Sequence, residues 1–155
     1  MSRIVPQMLS AFIYLITAFP ASAEPTRLGD LIIETPWARA SIGMSRPAAA
    51  YITIRNEGKT TDILTGIETT VSAKSEVHKM EMKNGVASMG PAGPVEIPAN
   101  GSVKLAPGGL HIMLMKLQQP LRKDDRFSMT LIFKDAGRVD ISVPIYSVGA
   151  SGPEK

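Results

Sequence analysis

The chain has 155 residues, a formal charge of +3, 12 prolines, 13 glycines and no cysteine. Lys and Arg are scattered and form no basic run, so the electrostatic footprint of a nucleic-acid binder is missing. Without a thiol, disulfides, dithiol redox chemistry, a blue-copper thiolate site and the cysteine-linked lipid of bacterial lipoproteins are all excluded for this sequence.

In chain order, Arg3 precedes an apolar stretch that ends in Ala21-Ser22-Ala23, the small-residue pattern of a signal-peptidase site. Residues 1–23 are therefore expected to be a cleaved export signal, too short and too broken by Pro20 to anchor as a spanning helix. The remainder is the size of one domain, expected over residues 24–146, and the mature form is expected to be soluble and monomeric, in the periplasm. The small, polar stretch 147–155 is expected to be a flexible tail.

Beyond residue 24, apolar residues alternate over short runs punctuated by Pro and Gly, the rhythm of antiparallel β structure. The pattern predicts strands at 31–34, 37–41, 49–56, 62–69, 76–82, 86–89, 95–97, 103–105, 111–116, 127–133 and 139–143, the last stopped by Pro144. So many short strands point to an all-β sandwich or Greek-key barrel. Within it, Trp37 reads as a core anchor, Arg39 as the partner of a carboxylate, and Tyr51 as core with its hydroxyl at an edge.

The chemistry lies in a local echo, His78-Lys-Met80-Glu-Met82 and His111-Ile-Met113-Leu-Met115. Alternate strand residues share a face, so each triplet presents one imidazole and two thioethers together. Asn84-Gly85 between strands is a strong type I′ hairpin signal; it aligns Met80 with Met89 and puts Met89 diagonal to His78. One His-Xaa-Met alone reads as ordinary packing, since methionine is a common core filler. Here both histidines, and five of the seven methionines beyond residue 24, fall between residues 78 and 115. Thioethers are soft donors, so two His with two Met suit copper, chiefly Cu(I), and suit zinc poorly. Thioethers do not titrate, which leaves only the imidazoles to compete with protons for the metal.

The spacing His78, Met89, His111, Met113 resembles the motif of the periplasmic copper chaperones called PCuAC. Trp37-Ala38-Arg39, Ala49-Ala50-Tyr51, Val95-Glu96-Ile97-Pro98 and Pro107-Gly108-Gly109-Leu110-His111 are also similar to that family. The resemblance implies a cupredoxin-like Greek-key β-sandwich and one Cu(I) per chain, bound by His78, Met89, His111 and Met113. It implies delivery to an acceptor such as the CuA-bearing subunit of cytochrome c oxidase or another copper chaperone, without catalysis. Some members carry a His- and Met-rich C-terminal extension; 147–155 has neither residue, so a second, Cu(II)-type site is not expected. Met80 and Met44 are left open as additional donors, and Met82 and Met115 are expected to pack. The competing readings are a copper buffer or resistance protein and a secreted β-sandwich interaction module without metal.

Overall fold

Period-two alternation is clearest in the strand Arg126–Phe133, while the strand Leu31–Arg39, between its neighbours in the sheet, is buried over consecutive residues. The structure, a computed structural model, describes residues 24–153, and the export signal expected at 1–23 lies outside the described residues. The strands are β1 (Thr26–Leu28), β2 (Leu31–Arg39), β3 (Ala48–Asn56), β4 (Asp62–Thr69), β5 (Ser72–Lys83), β6 (Val86–Pro91), β7 (Val95–Ile97), β8 (Ser102–Leu105), β9 (Leu110–Leu117), β10 (Arg126–Phe133) and β11 (Gly137–Tyr146). Among the described residues no helix is long and apolar enough to cross a membrane.

The strands neighbour one another in the order β6-β5-β9-β3-β2-β11-β10-β4-β7, with β1 on β2 and β8 on β3. All pairings are antiparallel except β2–β11, joined in parallel at Ala38–Ile145 and Arg39–Tyr146. That seam divides two layers. Ile33, Ile52, Ile54, Ile112 and Leu114 of the first layer share one core with Leu64, Met129, Leu131, Phe133 and Val143 of the second. Burial of each such side chain contributes about 1.5–3 kcal/mol. Neighbours distant in sequence, such as β9 between β5 and β3, make this a Greek-key sandwich rather than a meander.

Four expectations change. Strand β1 is too short to show a period. The runs 31–34 and 37–41 are one strand, β2, because the break between them is a bulge: Thr35 has φ +47° and the register shifts between Glu34 and Trp37. Pro144 does not stop β11. Ile145 donates its N–H to Asp125 O at 2.9 Å, toward β10, so the proline nitrogen lies on the β2 flank, where pairing starts only at Ile145. Finally, the tail returns onto the outer face of the first layer, where Ala150 is buried with Trp37 and Tyr51. Among the described residues Arg39 pairs with no carboxylate; its Nε donates to Ala150 O at 2.7 Å and its guanidinium lies 5.7 Å from the Tyr51 ring centre.

Candidate copper site

The hairpin forms as its residues dictate. Asn84 and Gly85 both take positive φ, +52° and +79°, the type I′ geometry whose twist matches the flanking strands. Register then follows, with Lys83 opposite Val86 and Met80 opposite Met89. A long-range pairing supplies the rest: β5 lies against β9 with His78 opposite His111 and Glu76 opposite Met113. Since cross-strand partners share a face, Glu76, His78, Met80, Met89, His111 and Met113 all lie on the outer face of the first layer. The opposite face of the same strands carries Val77, Ile112 and Leu114 into the core. Alternation along β5 and β9 thus separates packing residues from potential donors.

A cleft of about 370 Å³ opens on this outer face, lined by Met80, Met89, His111 and Met113 together with Tyr51, Arg39, Arg46 and Pro107. His111 forms its floor, only 5% exposed, while Met80 and Met89 form an outer lip at 37% and 47%. The His111 Nδ1–H donates to Gly109 O at 3.0 Å; a carbonyl only accepts, so Nδ1 carries the proton. Nε2 is left buried with no hydrogen-bond partner. Buried polar atoms are normally satisfied, and this unsatisfied one belongs to a residue that lines a cleft with three thioethers.

His78 is not part of the cleft lining; its side chain is 12% exposed, with Nε2 2.9 Å from Glu76 Oε1. The His78 hydrogen bond, and then Lys74, hold the Glu76 carboxyl below the usual carboxylate range. An imidazole nitrogen holds a first-row ion at about 2 Å, which sets the ion roughly 3 Å from the ring centre. The His78 and His111 ring centroids are 6.1 Å apart, close to twice that distance. Burial raises the Tyr51 pKa, partly offset by Arg39, so its phenol stays a neutral wall of the cleft.

The remaining methionines sort by position. Met44 is exposed in the loop before β3 and does not line the cleft. Met82, expected to pack, is 68% exposed at the hairpin end, because among the described residues no strand pairs β6 on its outer side. Met115 is half-buried farther along β9. Among the described residues no three His, Cys, Asp or Glu side chains converge as a metal cage, and the cleft lining holds no carboxylate. Sequence reasoning missed Glu76, Arg46 and the Gly109 carbonyl. Glu76 was findable, since it precedes His78 by two on one strand face; the carbonyl carries no sequence signal.

A Greek-key β-sandwich with two imidazoles and several thioethers on one partly open face defines a protein of the cupredoxin-like class. Residues 31–145 match the family described as putative lipoprotein LpqE-like, and the chain belongs to that family, which corresponds to PCuAC. It is 35% identical over 130 residues to putative lipoprotein Lxx21020 of Leifsonia xyli subsp. xyli (strain CTCB07), covering 81% of this chain and 76% of the relative. Among solved structures it is similar to the apo PCuAC domain of PmoF2, with TM-score 0.71 and 25% identity over 84% of this chain and all of that one. The Cu(I) form of DR1885 from Deinococcus radiodurans matches with TM-score 0.61 and 25% identity, covering 82% and 83% of the two chains.

Proposed function

We propose that this protein is an exported copper metallochaperone that holds one Cu(I) through His78, Met89, His111 and Met113 and passes it to an acceptor protein. The observation that carries the reading is the buried, unpartnered Nε2 of His111, a residue that lines a cleft together with Met80, Met89 and Met113. Soft thioethers beside imidazole favour Cu(I), whereas a site for a hard dication collects carboxylates. Arg39 and Arg46 in the lining weigh further against a second positive charge on the ion. The Cu(I)-bound relative DR1885 supports the same assignment, and the lipoprotein descriptions of the family and its relative support export to the periplasm.

The exposure gradient suits transfer rather than storage. Met89 and Met80 at the lip are open to an incoming ligand, while His111 is held by its own backbone and buried. An acceptor's donor atom displaces Met89 first and His111 last, so copper is never released to water. No step is catalytic in the enzymatic sense, and a monomer suffices. The acceptor is a copper-centre protein such as the CuA-bearing oxidase subunit.

The test is anaerobic loading with Cu(I), X-ray absorption at the copper edge, and incubation with a copper-free CuA domain. Mixed nitrogen and sulfur ligation, followed by appearance of the acceptor's copper-centre absorption, is expected. Copper retained against the acceptor at equal concentration assigns a buffer instead. Oxygen-only ligation overturns the site.

A further inference from the structure

We propose that Glu76 is a positioning residue for the copper site: its carboxylate holds the His78 Nε2–H and so fixes the ring tautomer that offers Nδ1 to the metal. The inference rests on the copper-holding reading above and extends it to a residue outside the ligand set.

The carboxylate is itself held in place. Oε1 takes the His78 ring at 2.9 Å, and Oε2 takes Lys74 Nζ at 3.0 Å. Strand geometry keeps the group on the metal face, because Glu76 is the Cα partner of Met113 while His78 is that of His111. The two rings are thereby set as opposite tautomers. Gly109 O accepts from Nδ1 of His111 and frees Nε2; in the neutral His78 ring the Glu76 carboxylate accepts from Nε2 and leaves Nδ1 as the lone pair. Neither ring depends on water to choose its ligating nitrogen. Direct ligation by Glu76 is the poorer alternative, since it would abandon both Lys74 and His78 and put a hard oxygen among soft donors. A carboxylate behind a ligating imidazole orients the ring and raises its basicity, and its loss typically lowers metal affinity by about 10–100-fold.

The experiment compares wild type, Glu76→Ala and Glu76→Gln in two ways. Two-bond 1H–15N spectra of the histidine rings, taken without metal above the pH at which both rings are neutral, read the His78 tautomer. Anaerobic competition with a chromophoric Cu(I) chelator reads affinity, and near-UV circular dichroism verifies the fold. Wild type is expected to show a single Nε2–H tautomer. Glu76→Ala is expected to show a mixture and to bind Cu(I) about 10–100-fold more weakly. Glu76→Gln retains an oxygen acceptor and recovers most of both readouts. An Ala variant with the wild-type tautomer and affinity overturns the inference, as does one that binds more tightly, since the contact then competes with copper for the ring. Absence of Cu(I) uptake by wild type overturns the copper reading itself; a tautomer indifferent to Glu76 with wild-type uptake intact overturns this inference alone.

Discussion

Substituting Gly85 by Ala isolates what the hairpin contributes to the site. Gly85 sits at φ +79°, and a Cβ built there meets nothing within 4 Å, so the change introduces no clash. Its whole cost is the left-handed backbone, about 1–2 kcal/mol for an L-residue. Strand β6 is exposed along most of its length and buries almost nothing in the core. The cost therefore falls on local closure of the hairpin rather than on global stability. Only the closed hairpin places Met89 opposite Met80, and apparent affinity scales with the competent fraction. The ceiling on lost Cu(I) affinity is then about 5–30-fold, the factor that corresponds to 1–2 kcal/mol. Gly90→Ala is the control: it lies on the same strand, also has open space at Cβ, and has no positive φ. The assay is anaerobic Cu(I) competition together with amide hydrogen exchange across β6. Exchange that shows β6 mostly open in Gly85→Ala, with unchanged affinity, would refute the reasoning, because Met89 would then hold no metal; equal loss in Gly90→Ala would refute it too.

Neighbours on β9 are expected to separate packing from binding: Ile112→Ala should cost about 2–5 kcal/mol in urea unfolding with Cu(I) stoichiometry preserved, while Met113→Ala should lose copper with little change in stability. Burial works to raise the pKa of Asp62, but backbone N–H groups of Asp135, Ala136 and Ile63 outweigh it and leave the carboxylate below its ordinary range. Because the folded value is depressed, its stabilisation is present above the unfolded value and lost as pH falls through the folded one. Asp62→Asn should therefore cost about 1–3 kcal/mol near neutrality, and the gap to wild type should close below about pH 4 in denaturation measured across pH. Truncation before Gly149 should shift Trp37 emission to longer wavelength and cost about 1 kcal/mol, since it removes Ala150 and the bond from Arg39. An unchanged emission maximum would show that the tail does not cover Trp37.

Local chemistry made part of this molecule readable in its sequence. Asn84-Gly85 determined a turn, the turn determined a register, and the register put Met89 on the face of His78 before any coordinates were needed. The opposition of His78 and His111 is different in kind. It depends on β5 pairing with β9 across some thirty intervening residues, and no short-range rule chooses that partner; only the echo of two His-Xaa-Met runs hinted at it. Proline misled at Pro144, because its missing N–H is harmless on an unpaired flank. Composition gave no sign that one small apolar residue, Ala150, finds the aromatic face of Trp37 and Tyr51. Glu76 was visible by alternation but unremarkable, since a carboxylate near a histidine acquires meaning only when the ring's other nitrogen has a use.

The most direct test of the copper site is anaerobic titration of the purified protein with Cu(I) against a chromophoric chelator, repeated on the His111→Ala, Met113→Ala double variant with its fold verified by circular dichroism. One tight equivalent in wild type, lost in a folded double variant, is the predicted result. A wild-type protein that cannot take Cu(I) from the chelator, or a folded double variant that still binds one equivalent as tightly, would contradict the assignment of copper to this face.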